Sequence, residues 1–451
     1  MREEVTGAEV IERAGAAEAP ARLALGSGLT MLAAATWLML KGVEPFATSY
    51  YLFAWYSTLL AADGAVALAG GVGERGRFFL LGRPRFLLTL LAWSAVAWLF
   101  FELLNFRLRN WYYVFVPAEP WLRWPSIVLS FATVLPAVLV SEALLARLGV
   151  ARHARSAPFR LMPRRLAWIR FAGWAMLLLP LLWPRYFFPL VWGAVVLLLD
   201  PFVRRRDPAR SLLGDLEAGR PGRILRLLAG GGAIGLLWEM FNIEARGKWI
   251  YTVPGFERFK LFEMPVLGFL GFPPFALECY VIWQTLVVAG LATPRRGPAV
   301  PRPRAARIGA AIAATAFAVG ILAGMERWTI SSVRPALAEL EHLDIPAPRL
   351  LPLGLDAFDL ANATPLSLAR AVGAPPHEAS EWIHTARLVT LRGIGTDNAR
   401  LLRAAGVRSI DDLAAADPAA LASRLAALAP GRITDARVRV WVRAARRIAG
   451  I

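Results

Sequence analysis

At 451 residues, 57% hydrophobic, with 17 Trp and only 19% charged residues, the chain is far more apolar than a soluble globular domain. Its single cysteine, Cys279, excludes a disulfide framework or a cysteine metal cluster. The net charge of +18, carried by 48 Arg and 3 Lys, would suggest a polyanionic partner if it were evenly spread, but it is not.

In chain order, a polar segment (1-21) precedes an apolar run that no basic region and small-residue cleavage site marks as a removed signal, so it reads as a retained helix. Nine runs are long enough to span a bilayer, at about 22-41, 47-70, 87-106, 124-147, 166-183, 185-203, 224-243, 262-291 and 306-324. The expected fold is an all-α polytopic membrane helix bundle followed by a small C-terminal helical domain. Its expected parts are membrane repeat 1 (22-150), a basic linker (151-165), membrane repeat 2 (166-292), a Pro/Arg linker (293-305), a last span (306-325), a linker (326-352) and the helical domain (353-451).

Basic residues alternate with the spans. Loops 72-86, 147-165, 204-226 and 293-307 hold 22 Arg, whereas the intervening loops 41-47, 107-123, 184-186 and 244-260 hold nine Lys plus Arg. The positive-inside rule then puts the first set and the N-terminus in the cytoplasm of a bacterial inner membrane, and nine crossings put the C-terminal domain in the periplasm.

Two stretches echo each other. Phe101-Glu102-Leu103-Leu104-Asn105-Phe106 with Trp111 and Tyr113 returns as Trp238-Glu239-Met240-Phe241-Asn242-Ile243 with Trp249 and Tyr251. Trp55 and Asp63 match Trp192 and Asp200, Pro117 matches Pro254, Pro136 matches Pro273, and Glu142 matches Glu278 after a one-residue gap. Each unit holds four spans, an even number, so the two enter the membrane in the same sense and form a parallel repeat.

The echo carries the candidate intramembrane polar site: Glu102, Asn105, Glu239 and Asn242, each pair sharing a helix face at the outer end of its span, with Trp111, Tyr113, Trp249 and Tyr251 as interface aromatics. Two readings stand. The carboxylates face each other across the repeat interface and hold a cation, a proton or a polar head group, or each pins its neighbouring loop through Arg107 and Arg109 or Arg246 and Lys248. Asp63 and Asp200 are expected to pair with a basic rim, for Asp200 Arg204-Arg205-Arg206. Glu278 lies deeper, after Pro273-Pro274, whose freed carbonyls need protein or water; it is the best single candidate for a functional intramembrane carboxylate, with a hydrogen bond to the kinked backbone as the alternative.

Gly247-Lys248-Trp249-Ile250-Tyr251, Pro254, Gly268, Pro274, Glu278 and Gln284-Thr285-Leu286 distantly resemble the small-type membrane lycopene cyclases. Those enzymes carry Pro-x-Glu-Glu where this chain has Pro274-Phe275-Ala276-Leu277-Glu278, one acid at another spacing. The resemblance implies a shared membrane scaffold and a carboxylic acid acting on an isoprenoid.

The four histidines, His153, His342, His377 and His384, all lie outside the spans, so no haem or histidine metal site is expected in the membrane. No Walker loop or dinucleotide fingerprint is present, and no cofactor or metal is expected.

In the C-terminal part, Asp359–Ala369 matches Asp412–Ala422, and Thr364-Pro365 and Asp417-Pro418 read as N-cap plus N1-proline helix starts. Leu391-Arg392-Gly393-Ile394-Gly395 and the helix after it resemble a helix-hairpin-helix motif, and the tandem pattern is similar to domains of unknown function. That resemblance implies a phosphate cradle at Arg392, Gly393, Gly395 and Arg400. Residues 352-451 hold 13 Arg against nine acids, a weak surplus for nucleic acid. The leading expectation is a non-catalytic scaffold that meets membrane lipid and displays the domain to a protein partner. An intramembrane isoprenoid or lipid enzyme or carrier, and membrane-tethered DNA binding, are the alternatives.

Overall fold

Lipid offers the backbone no hydrogen-bond partners, so apolar runs of this length must close their own bonds as helices. The structure, a computed structural model, describes residues 7–69, 75–253 and 259–451. It is all-α, and among the described residues nine helical segments are long and apolar enough to cross a membrane. They comprise α1 (Gly7–Leu40), α2 (Phe46–Leu68), α3 (Pro84–Leu108), the consecutive α4 (Pro120–Phe131) and α5 (Val134–Arg147), α6 (Pro163–Leu182), the one-turn α7 (Pro184–Phe187) with α8 (Val191–Arg206), α10 (Gly222–Ile243) after the short α9 (Leu212–Glu217), α11 (Phe272–Val288) and α12 (Arg304–Trp328). Pro254, one half of a matched pair, lies outside the described residues.

Breaks in two spans are answered by side chains from other helices, and a third span starts as a helix later than expected. Between α4 and α5, Ser94 Oγ donates to Phe131 O (2.7 Å) and accepts from Leu135 N (3.0 Å). α8 is broken at Trp192–Gly193, and Val195 N donates to Glu278 Oε1 across the bundle (2.9 Å). The span expected at 262-291 instead begins with a two-residue strand pair, β3 (Lys260–Leu261) and β4 (Met264–Pro265), and a 3₁₀ turn over Val266–Gly271, so that Pro273 and Pro274 fall in the first turn of α11. A proline there forfeits no helical bond. Glu278 therefore answers a break in α8, not freed carbonyls in its own helix.

Small residues let helices approach where lipid gives no hydrophobic drive. A Cβ on Gly28 of α1 would stand 2.7 Å from Ser57 O of α2, and one on Gly231 of α10 would stand 2.8 Å from Phe272 O of α11.

Asp63 and Asp200 do not pair with the arginine rim. Each is fully buried and caps the turn that follows its helix: Asp63 accepts from Phe79, Leu80 and Leu81 N (2.6, 2.9 and 2.8 Å), Asp200 from Ser211 Oγ, Leu212 N and Leu213 N (2.9, 3.1 and 2.6 Å). Backbone N–H groups are closer and better aimed than the long guanidinium arms; Arg204 pairs with Glu217 instead (2.5 Å). Asp200→Ala should lower stability by about 3 kcal/mol, because it orphans three donors, and Asp200→Asn by less; thermal denaturation of the solubilised protein measures both.

The C-terminal unit comprises α13 (Leu337–Leu340), α14 (Ala347–Leu350), α15 (Ala357–Asn362), α16 (Pro365–Val372), α17 (Pro376–Thr390), α18 (Gly395–Ala404), α19 (Ile410–Ala415), α20 (Pro418–Leu428) and α21 (Asp435–Ala449). Thr364 and Asp417 accept from Ser367 N and Ala420 N (3.3 and 3.0 Å) as N-caps. Its apolar core reaches back to Leu340, Leu343 and Leu350, within the stretch expected as a linker, and takes in Tyr112, Val114, Phe115 and Ile250 from the membrane part.

Candidate functional site

The site is built on a ribbon of three chain segments, each continuing a different span. β1 (Trp111–Val114) follows α3 and β2 (Lys248–Tyr251) follows α10; they pair antiparallel with Trp111 opposite Tyr251 and Tyr113 opposite Trp249. The segment after α12 completes the ribbon, with Tyr113 N donating to Thr329 O and Ser331 N to Tyr113 O, both 2.8 Å. Asn105 and Asn242 fix how the chain leaves each helix. Asn105 Nδ2 donates to Trp111 O (3.0 Å) and Oδ1 accepts from Asn110 N (2.9 Å); Asn242 Nδ2 donates to Trp249 O (2.9 Å) and Oδ1 accepts from Trp249 N (3.0 Å).

Strand alternation gives the ribbon two different faces. Trp111, Tyr113, Trp249 and Tyr251 face the bundle, while Tyr112, Val114 and Ile250 enter the C-terminal core.

The carboxylates meet the bundle-facing aromatics, not the loop cations. Glu102 Oε1 accepts from Trp98 Nε1 (3.1 Å), Trp111 Nε1 (2.8 Å) and Tyr113 Oη (2.5 Å); Glu239 Oε1 accepts from Tyr251 Oη (2.8 Å). Burial and the nearby carboxylate hold the Tyr113 phenol well above its ordinary value, so it stays a donor. Arg246 turns away to Asp356 (2.6 Å) and Glu44 (3.3 Å), and Lys248 Nζ donates to Ile243 O (2.7 Å). An arginine pairing would place a guanidinium among these rings, and the indole and phenol donors reach the same oxygens at no charge-desolvation cost.

Beneath the ribbon is a cavity of about 160 Å³, walled mainly by Trp98, Trp111, Trp192, Trp238, Trp249 and Phe275. Glu239 lines it; its side chain is fully buried, and its Oε2 has no hydrogen-bond partner among the described residues. The indole Nε1 atoms of Trp238 and Trp249, in the same wall, are buried and likewise have no hydrogen-bond partner in bonding geometry among the described residues. Glu102 stands behind its donors rather than in the wall, and Glu278 also lies outside it.

The hairpin residues are elsewhere, at the interface between the C-terminal unit and the ribbon. Gly393 and Gly395 are buried: a Cβ on Gly393 would stand 2.1 Å from Val114 Cγ1, and one on Gly395 2.5 Å from Ser332 Cβ. Arg392 forms an ion pair with Glu263, which is fully buried. Arg400 is exposed and pairs with Asp397 (2.6 Å). Close by, Arg437 donates to Trp328 O (2.7 Å) and lies 5.0 Å over the Tyr112 ring; burial lowers its guanidinium to about 10. Burial, then the Arg392 charge, lowers Lys248 to about 8.

Of the sequence candidates, Glu239, Trp111, Tyr113, Trp249 and Tyr251 share the chamber wall. Sequence reasoning missed Trp98 and Glu263 altogether and named Phe275 only as a spacer before Glu278. Trp192 and Trp238 were visible only as parts of matched stretches, and their common wall needs the fold.

No curated protein and no solved structure matches the chain. Residues 358–448 match the family described as a domain of unknown function, DUF4332.

Proposed function

We propose that this is a multi-pass inner-membrane protein that holds the end of an apolar ligand in the aromatic chamber, with Glu239 as the polar anchor. The observation that carries this is the fully buried Oε2 of Glu239, unpartnered among the described residues, in a largely aromatic wall that also holds Thr48, Ser126, Ser130 and Lys248. A polar atom left this way costs about 1–3 kcal/mol or more when charged, and a bound group that donates to it removes the cost. The reading belongs to the isoprenoid or lipid carrier class, and carriage requires no step beyond binding.

Several features support the wider frame. Antiparallel pairing of β1 with β2, with Trp111 opposite Tyr251, is what a two-fold axis along the membrane normal produces, so it favours a parallel four-span duplication. The excess of arginine in alternate loops favours a cytoplasmic N-terminus, and an odd number of crossings then favours a periplasmic C-terminal unit. The Leu391–Gly395 turn between α17 and α18 suits a helix-hairpin-helix arrangement, but its buried glycines support a docking element rather than a phosphate cradle.

Mass spectrometry of an organic extract from the purified full-length protein should reveal a stoichiometric apolar compound that is depleted in Glu239→Gln and retained in Glu278→Gln. Equal extracts from all three proteins, or no stoichiometric compound in any, would remove the reading.

A further inference from the structure

The ligand's class can be narrowed from the chamber's size and its unanswered polar atoms; the narrowing rests on the carrier reading above. A cavity of about 160 Å³ matches in scale the roughly 150 Å³ dry cavity that accepts one benzene. The part of a ligand that enters it is therefore about the size of one six-carbon ring, by the same comparison.

The wall leaves both kinds of hydrogen-bonding group unsatisfied. Among the described residues Glu239 Oε2 has no donor in bonding geometry, and Trp249 Nε1 and Trp238 Nε1 have no acceptor, although the Trp249 indole lies close enough to Glu239 to act on its carboxylate. A hydrocarbon end answers neither. A quaternary ammonium is attracted by aromatic faces and by a carboxylate, but offers no lone pair to an indole N–H. A carboxylate ligand accepts but offers no donor to Glu239 Oε2. A hydroxyl donates one hydrogen bond and accepts up to two, and so can serve both sides.

We infer that the chamber selects a ring-sized hydrocarbon end bearing one hydroxyl, whose O–H donates to Glu239 and whose oxygen accepts from Trp249.

The test is native mass spectrometry of the detergent-solubilised full-length protein, titrated in parallel with 4-butylcyclohexanol, butylcyclohexane and butyltrimethylammonium. The alcohol should bind one per chain and tenfold or more tighter than the hydrocarbon. Trp249→Phe keeps an aromatic ring but removes the donor; it should cut the alcohol's advantage several-fold and leave hydrocarbon binding unchanged, with an unaltered melting temperature showing that the fold survives. Equal binding of alcohol and hydrocarbon overturns the hydroxyl assignment and leaves the carrier reading standing. Tighter binding of the ammonium overturns it in favour of a cation box. Binding of none of the three overturns both.

Discussion

Gly393→Val should detach the C-terminal unit from the membrane part. The residue has φ of +74°, a conformation that disfavours side chains, and its Cβ would stand 2.1 Å from Val114 Cγ1 and 2.2 Å from Val114 Cβ. Val114 cannot retreat, because it is fully buried in β1 and the ribbon is held along its length by β2 and by the segment after α12. Left-handed strain of about 1–2 kcal/mol adds to overpacking of about 1–3 kcal/mol, a large fraction of what holds two folded units together. Limited proteolysis checks it: the variant should be cut rapidly between residues 333 and 337, ahead of the first helix of the C-terminal unit, releasing a folded fragment, where the parent resists. Gly373→Val is the control, since it has φ of +64° but nothing within 4 Å. Equal resistance of parent and Gly393→Val would mean that the hairpin is not the docking element.

Losing Arg392 should be nearly as damaging, for a different reason. Its partner Glu263 is fully buried, and β3 and β4 hold it beside the chamber. Arg392→Met strands a carboxylate away from water, and breaking a buried pair in this way costs about 3–5 kcal/mol. The double variant Arg392→Met with Glu263→Met removes both charges and should recover most of the loss, since apolar replacements of buried pairs are often neutral. Denaturant unfolding of the two single variants and the double forms a thermodynamic cycle, expected to show coupling of at least about 2 kcal/mol. Additive losses would place the two side chains in separate environments.

The spans were legible because lipid leaves the backbone one solution, so run length alone set the nine segments to within a few residues. The ribbon was not. Trp111-Tyr112-Tyr113-Val114 is too short to signal a strand, and its aromatics read equally well as anchors at a membrane surface. As a result Trp111 and Tyr113 were identified as residues but not as donors to Glu102. The broken helix was misplaced because Pro273-Pro274 is spelled the same way whether it kinks a helix or starts one. Trp192–Gly193, the true break, carries no proline. Asp63 and Asp200 were assigned to arginines because guanidinium partners can be counted in a sequence, whereas backbone N–H groups presented by a turn cannot. Docking of the C-terminal unit depends on pairs such as Arg246 with Asp356 (2.6 Å), which nothing local foreshadows.

The ribbon also sets an order of assembly. Its three segments leave α3, α10 and α12, so Tyr113 waits for Trp249 and then for Ile330 before its strand is flanked on both sides. Until α12 has crossed, the bundle-facing aromatics have no complete roof, and until the C-terminal unit is made, Tyr112 and Val114 have no core to enter. Closing the ribbon is thus a late, long-range event. On the proposed topology, skipping one span between α3 and α12 would put the ribbon's segments on opposite sides of the bilayer, so its closure records how the spans between them were threaded.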